Sequence, residues 1–436
     1  MSLDLSVQQA HLRWRLALAF LLVALAGRPV PGAEKTENYP DGTKHQVYAV
    51  DADGLKNGTF KEFYRNGKPK TLATYRHGKL HGVLKAFDEG GKLQLQETYN
   101  DGQRHGQRQE FANKRLVKDE MWLNGELLVP RSAAILIAEL KAIQTLPVKT
   151  VGEPPQVYDK IRSALHDPSL QAQREAALRV LMAYRCLCEL PYRDMVLDWS
   201  CDAYAEAASD VLGRLNKGLT HTPENPGMPD EDYRLGAKGA GSSNLHWTSN
   251  PLGAPQMIEG LKGFMDDSDS KNIDRVGHRR WCLNPTMLKT GFGALSGNYV
   301  AMWSFDTSRT AVPDYDFVAF PPRGLTPISV FHDHFAWSVS LNLAKYELPS
   351  QERVKVQVQP VRFQQRRGVL EPADKPLELN YFHVSADRIG IPGCIIFRPA
   401  NFKVLAGNSY WVEIAGLRKK GGKEAKIGYL VAFMSL

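Results

Sequence analysis

A 24-residue repeat in the first third of the chain restricts the fold more than any other sequence feature. A dipeptide ending in glycine recurs at this interval, and a phenylalanine follows five residues after each glycine. The repeated residues are Asn57-Gly58 with Phe63, His81-Gly82 with Phe87, and His105-Gly106 with Phe111. Each unit has the pattern of two short strands joined by a glycine turn, which is a strong hairpin signal. One hairpin cannot bury an aromatic face but a stack of hairpins can, so 41–128 are predicted to form a β-hairpin repeat ribbon.

A second pattern, Y-x-x-G, recurs with the first at Tyr75-x-x-Gly78 and Tyr99-x-x-Gly102. Together the two patterns resemble the MORN-type repeats, in the variant common in bacterial proteins. The resemblance covers 41–128 and implies an interaction or spacer element. The partner that it implies is an unknown protein or a component of the cell envelope.

The N-terminus has the layout of a secretory signal peptide. Arg13 and Arg15 precede an apolar run of 11 residues, 16–26, and small residues follow it. The run is short for a membrane span, although an uncleaved anchor is the alternative. We therefore predict a signal peptide at 1–33 and a secreted or cell-envelope location, in the periplasm or outside the cell. No later stretch approaches the roughly 20 apolar residues of a membrane helix, so no span is expected after cleavage.

Length and composition limit the class of protein. A chain of 436 residues predicts about three domains. The net charge is +8, but the basic residues are scattered, whereas a nucleic-acid footprint gathers them on one face. The five cysteines are too few for a disulfide scaffold, and their odd number leaves at least one thiol free. We expect no nucleic-acid partner, and the sequence leaves open whether a disulfide forms.

The central region is predicted to be helical. A connector at 131–164 contains a helix from Ala133 to Leu146. The next helix begins at Asp167-Pro168, with an acid at the cap and proline at its first position, and Asp198 opens another. A polar loop is predicted over 223–241, before a further helix after Pro255.

An ordered set of motifs runs through 165–308. It comprises Tyr184-Arg185, Leu197-Asp198-Trp199, His221, Ser243-Asn244-Leu245, Gly277-His278-Arg279 and Gly291-Phe292-Gly293. This set resembles the CAP superfamily, also called the SCP domain, in its bacterial branch. The resemblance implies an α-β-α sandwich with a cleft between the helices and the sheet. It also implies secretion, in agreement with the signal peptide.

The same resemblance implies the residues of the cleft. Typical members line it with two histidines and two acids, which can hold a divalent cation such as zinc. His221 and His278 match the histidines, and Ser243 stands where the family has a glutamate. Glu259 is the match for the second acid, with Asp266 or Asp267 as competitors.

Asn244 and Arg279 complete the predicted cleft lining. Arginines at a helix end can clamp an anion, but Arg279 and Arg280 are expected to be solvated or paired with nearby acids. Two imidazoles and at most one carboxylate are too few ligands for a closed structural zinc site, although water could complete an open one.

The leading function prediction is therefore a secreted protein that binds a ligand or partner through a histidine-lined cleft without catalysis. One alternative is a divalent-metal-dependent hydrolase that uses His221 and His278 on a peptide or cell-envelope substrate. Another is binding of a lipid, a sterol or a similar small apolar ligand.

Residues 313–436 alternate apolar and polar positions in short runs, which predicts a β-sandwich of immunoglobulin-like type. Pro321 to Gly324 has the composition of a boundary linker, and His332 and His334 are expected on one face of a strand. The chain as a whole is predicted to be an α+β multidomain protein. Its parts are the hairpin ribbon, the central α-β-α sandwich of CAP type and the C-terminal β-sandwich.

Overall fold

A computed structural model describes residues 33–249, 255–364 and 369–436. They form two compact units, which divide between Leu127 and Leu128. Strands make up 38% of the structure and helices 22%. The predicted signal peptide lies outside the described residues, apart from Ala33, which begins the first strand.

The first unit is built on one sheet of ten strands. The strands are β1 (Ala33–Asn38), β2 (Lys44–Val50), β3 (Lys56–Phe63), β4 (Pro69–Arg76), β5 (Lys79–Leu80), β6 (Gly82–Phe87), β7 (Leu93–Asn100), β8 (Gln103–Ala112), β9 (Arg115–Leu123) and β10 (Glu126–Val129). They follow one another in chain order across the sheet, except that β5 pairs only with β4.

The 24-residue repeat appears in the backbone of this sheet. Gly58, Gly82 and Gly106 have φ of 109°, 91° and 103°, values that residues with a side chain rarely adopt. The strand register shifts beside each of the repeated phenylalanines, at Phe63, Phe87 and Phe111. The predicted β-hairpin repeat is therefore confirmed, and each glycine is needed for its backbone conformation.

The described part of the second unit contains seven α-helices. They are α1 (Ala133–Gln144), α2 (Asp159–Leu165), α3 (Pro168–Leu187), α4 (Trp199–Leu215), α5 (Asp230–Gly241), α6 (Gln256–Asp266) and α7 (Gly277–Cys282). The predicted starts of α3 and α4 are confirmed. The Asp167 carboxylate accepts hydrogen bonds from the first backbone N–H groups of α3, and that of Asp198 does the same for α4.

Two small sheets accompany these helices. Their strands are β11 (Thr150–Val151), β12 (Val196–Asp198), β13 (Ser243–Trp247), β14 (Lys289–Thr290), β15 (Phe292–Gly293) and β16 (Tyr299–Trp303). One sheet has the order β11-β12-β14 and the other β13-β16-β15. Along β16, Tyr299 and Ala301 pack with α4, whereas Val300 and Met302 lie in the cluster that contains residues of α6. The second sheet is therefore covered by helices on both faces.

The prediction of a loop over 223–241 is wrong for its second half, which forms α5. The segment was predicted to be a loop because it is polar, and its three glycines lower helix propensity further. A methyl group at Gly236 or Gly239 would overlap the backbone of α4, so these positions let the two helices approach closely. Tertiary packing thus stabilises a helix that local propensity disfavours.

Helix α4 carries buried polar side chains that bind the backbone of a neighbouring segment. Asp202 Oδ1 accepts from Phe292 N at 2.9 Å, and Glu206 Oε2 accepts from Ala294 N at 3.0 Å. Arg174 in α3 forms an ion pair with Glu206 at 2.5 Å, with both side chains fully buried. These carboxylates supply acceptors for backbone N–H groups that have no regular sheet partner.

The buried position of Asp202 predicts a pH-dependent stability. Burial raises the pKa of this carboxyl group to about 7, against about 3.9 in an unfolded chain. The folded state therefore holds a proton that the unfolded state releases, and the group's contribution to stability is lost as the pH rises from about 4 to about 7. Asp202→Asn retains an acceptor for Phe292 N and cannot ionise. In urea unfolding at a series of pH values, stability should shift in favour of this variant as the pH rises; a constant difference from the wild type would contradict the prediction.

The C-terminal part of the second unit consists of two facing sheets. Their strands are β17 (Phe317–Phe320), β18 (Gly324–Pro327), β19 (Trp337–Leu341), β20 (Lys355–Gln364), β21 (Val369–Pro372), β22 (Leu379–Ser385), β23 (Cys394–Pro399), β24 (Ser409–Arg418) and β25 (Glu424–Met434). The sheet orders are β17-β19-β23-β22 and β18-β25-β24-β20-β21. Trp337 and Phe397 of the first sheet share one core with Val412 and Tyr429 of the second, so the predicted β-sandwich is confirmed.

Two local expectations in this region are wrong. His332 and His334 do not lie on a strand but at a turn between the short 3-10 helix Ile328–Val330 and β19, where Asp333 accepts a hydrogen bond from Val404 N. Residues 321–323 connect β17 to β18, and Gly324 is the first residue of β18, so the segment lies within the sandwich and does not precede it.

All five cysteines are buried and free. Within the described ranges, no helix is both long and apolar enough to cross a bilayer.

Candidate functional site

Four of the six predicted cleft residues line a single cavity of about 470 Å³ in the second unit. These four are His221, Ser243, Asn244 and His278. The remaining lining residues are Gly241, Asn272, Arg275, Gly277, Trp281, Phe305, Arg388 and Ile389. The cavity therefore combines residues of the helical region with two residues from the sandwich, in the loop between β22 and β23.

His278 is held by a buried carboxylate. Its Nδ1 lies 2.8 Å from Oδ1 of Asp267, whose side chain is only 1% exposed. The other oxygen of Asp267 accepts a hydrogen bond from Arg279 N. Because a carboxylate can only accept, Nδ1 carries the proton in this pair, and Nε2 of His278 is left for the cavity.

His221 is fixed in the same way by a backbone carbonyl. Its Nδ1 lies 2.8 Å from the oxygen of Ala240, near the end of α5. A carbonyl oxygen also only accepts, so Nδ1 of His221 is the donor and Nε2 remains available. Both histidines thus have one ring nitrogen committed to the protein.

Ser243 and Asn244 begin strand β13 and have different roles. Asn244 Nδ2 donates to the carbonyl of His278 at 3.0 Å and so ties the strand to α7. Ser243 is 2% exposed, and its hydroxyl has no hydrogen-bond partner among the described residues. An unpaired buried hydroxyl costs about 1–3 kcal/mol, so a ligand acceptor at this position would be favourable.

Glu259 and Arg279 are not among the residues that line the cavity. Glu259 Oε2 accepts from Thr248 Oγ1 at 3.1 Å. Arg279 is 1% exposed and donates to the carbonyls of Met265 and Ala336, at 2.8 and 2.7 Å.

The expectation that Arg279 and Arg280 are solvated or paired with acids is wrong. Both side chains are buried, and Arg280 Nε donates to the carbonyl of Ile391 at 2.8 Å. Burial lowers the pKa of both guanidinium groups. Their planar donor sets are occupied by backbone carbonyls and by the hydroxyls of Ser338 and Ser385, and these contacts tie α7 to the sandwich.

Sequence reasoning missed an aromatic pair and two cations in this cavity. The rings of Trp281 and Phe305 stack with centroids 4.4 Å apart at 27°. Trp281 follows the Gly277-His278-Arg279 motif directly, and on a short helix it could have been placed beside His278. Arg275 and Arg388 gave no such signal in the sequence. Arg388 reaches the cavity only through the packing of the sandwich.

The residues present do not fit a bound divalent cation. Over the part of the chain that the structure describes, the cavity offers two imidazoles and no carboxylate, and two arginines line it. Asp267, which contacts the ring of His278, uses its two oxygens on His278 and on the N–H of Arg279. In the described residues, no group of three His, Cys, Asp or Glu side chains is arranged to hold a metal, whereas even an open zinc site has three protein ligands.

Comparison with known proteins bears on the first unit. Residues 56–77 and 80–101 match the family model described as MORN repeat variant. No curated protein matches the chain. The match falls on β3 to β7, where the repeating glycines and register shifts were found, so these strands carry MORN-type repeats.

Proposed function

We propose that this chain is an exported protein of CAP/SCP type that binds a ligand in the histidine-lined cavity and carries out no reaction there. The observation that carries the proposal is the convergence of His221, Ser243, Asn244 and His278 on one cavity of about 470 Å³. Ligand pockets in proteins commonly enclose about 300–1,000 Å³.

The packing around the cavity supports a CAP-type domain. The sheet β13-β16-β15 lies between α4 and α6, and the Gly291-Phe292-Gly293 motif forms the strand that contacts α4. The sandwich that follows supports an immunoglobulin-like assignment, because its two strand orders correspond to the four- and five-stranded sheets of that fold. The MORN-type repeats would supply a contact to a protein or envelope partner.

The arrangement of polar groups supports binding rather than hydrolysis. A serine nucleophile needs a base within hydrogen-bonding distance, and Ser243 Oγ has no such partner among the described residues. A metal-activated water would need ligands that the cavity lacks. His278 with Asp267 has the tautomer of a general base, but no serine, threonine or cysteine side chain of the described residues is hydrogen-bonded to its ring.

The test is a screen of small fragments by ligand-observed NMR, comparing the wild type with Trp281→Ala. Removing the indole eliminates one face of the aromatic pair, so we expect fragments that bind the wild type to lose their signal in this variant. Trp247→Ala is the matched control, because Trp247 is 48% exposed and lies outside the cavity lining. If the fragments bind both variants as they bind the wild type, the cavity is not the binding site.

A further inference from the structure

We propose that the cavity binds an organic anion in which a carboxylate is attached to a ring, and that it excludes divalent cations. This inference rests on the proposed function and specifies the class of ligand. It is carried by three features of the cavity: its charge, an unpartnered buried hydroxyl and an aromatic surface.

The charge of the lining is entirely positive. Among the described residues, Arg275 and Arg388 are the charged members of the lining, and no aspartate or glutamate belongs to it. Arg275 has Asp274 at 3.6 Å, but that carboxylate is 62% exposed and outside the lining. Arg388 is exposed and, within the described ranges, has no carboxylate at ion-pair distance. An arginine fork matches the two oxygens of a carboxylate, whereas a divalent cation would be repelled.

The loop that carries Arg388 is held by a buried side chain. Arg280 donates to the carbonyl of Asp387 on one side of Arg388 and to that of Ile391 on the other. Arg280 is itself 2% exposed. The cation is therefore presented on backbone that α7 fixes, which lowers the entropy lost when a ligand binds.

The polar groups of the cavity can serve different parts of such a ligand. Ser243 has a buried hydroxyl that lacks an acceptor among the described residues, and a carboxylate oxygen accepts from a serine hydroxyl. His221 and His278 each donate from Nδ1 to the protein, so Nε2 of the neutral ring is an acceptor. An N–H or hydroxyl group on the ring of the ligand can donate to it.

The ring of the ligand has a surface to lie on. Trp281 and Phe305 stack on each other, and both line the cavity beside the polar groups. Phe305 is 50% exposed, so part of its ring is accessible to a ligand in the cavity. Aromatic rings and the apolar faces of sugar rings can both stack on aromatic side chains, so the ring of the ligand can be of either kind.

The test is calorimetric titration with acids and their uncharged counterparts. Indole-3-acetate and indole-3-acetamide represent an aromatic ring with and without charge, and glucuronate and glucose represent a sugar ring. We expect one of the two acids to bind at least tenfold more tightly than its neutral counterpart, and the preferred pair identifies the kind of ring. When Zn²⁺ is titrated without an organic ligand, we expect no binding that depends on the two histidines. Any zinc binding to the wild type should therefore persist in His221→Ala and in His278→Ala.

Variants locate the effect. Arg388→Gln and Arg275→Gln should each reduce the preference for the acid over its neutral counterpart. Ser243→Ala should lower the affinity for the acid more than the affinity for the neutral compound. Arg362→Gln is the control, because Arg362 is an exposed arginine of the sandwich outside the cavity lining. Raising the ionic strength from about 0.01 M to about 0.15 M shortens the Debye length from about 30 Å to about 8 Å. With the wild type, this change should lower the affinity for the acid and leave the affinity for the neutral compound unchanged.

The outcomes separate the two proposals. If acids and neutral compounds bind with equal affinity, and Trp281→Ala abolishes the binding of both, the proposed ligand-binding function stands and the anion inference is overturned. Zinc binding that needs both histidines would also overturn it. If no acid or neutral compound binds, and the fragment screen shows no dependence on Trp281, the proposed function itself fails.

Discussion

Gly293→Ala is expected to lower the free energy of unfolding of the second unit by about 3 kcal/mol, the upper part of the range for inserting atoms into a packed interior. A methyl group at Gly293 would overlap backbone atoms of Ala205 and Glu206 in α4. Backbone in the middle of a helix cannot rotate away as a side chain can. The strand would have to move from the helix and stretch the hydrogen bonds that Glu206 accepts.

Urea unfolding followed by tryptophan fluorescence measures the effect as a lower midpoint at unchanged slope. Gly241→Ala is the matched control, since its methyl group would meet only the carbonyl of His221, at an ordinary 3.5 Å. Alanine is the better helix former, so this variant should be as stable as the wild type or slightly more so. Equal losses in the two variants would contradict the close approach of strand and helix.

Arg174→Met is expected to destabilise the second unit by about 3–5 kcal/mol, the range for removing one partner of a buried ion pair. Arg174, Asp202 and Glu206 are all fully buried. Without the guanidinium, the Glu206 carboxylate must either remain as an uncompensated buried charge or take up a proton. Burial already raises the pKa of Glu206, and Arg174 is the main group that opposes this rise.

A double-variant cycle with Glu206→Leu tests whether the loss comes from the uncompensated charge. The double variant should lose less stability than the sum of the two single variants, because no lone charge then remains. Lys217→Gln is the surface control: its pair with Glu224 is 69% and 79% exposed, and such pairs contribute about 0–1 kcal/mol. Additive losses in the cycle would show that Arg174 stabilises the fold through its other contacts.

Features with a local cause could be predicted from the sequence. The hairpin repeat depends on glycines that adopt positive φ and on strands that pair with their neighbours in the chain. The helix starts at Asp167 and Asp198 depend on a carboxylate and the next two or three N–H groups. Both kinds of signal lie within a few residues, so no tertiary information is needed.

Features that depend on distant contacts could not be predicted. The polar segment that forms α5 was predicted to be a loop, and its helix is stabilised by the close approach of Gly236 and Gly239 to α4. Arg279 had the pattern of a solvated helix-end residue, and its burial depends on Ala336, which is 57 residues away. The sequence offered Glu259 as the second acid of the cleft, with Asp266 or Asp267 as competitors, and could not choose among them; the turn at the end of α6 brings Asp267 to His278.

The sequence by itself determined the repeat ribbon, the alternation of the sandwich strands and the two histidines that warranted attention, since each follows from residue type and short spacing. Only the tertiary structure decided what surrounds those histidines. It brings Arg388 in from the sandwich, directs the Asp267 carboxylate to a ring nitrogen and leaves the Ser243 hydroxyl without a hydrogen-bond partner among the described residues. Electrostatic interactions fall off with distance through space and not along the chain, so the charge of the cavity emerges only when distant segments meet.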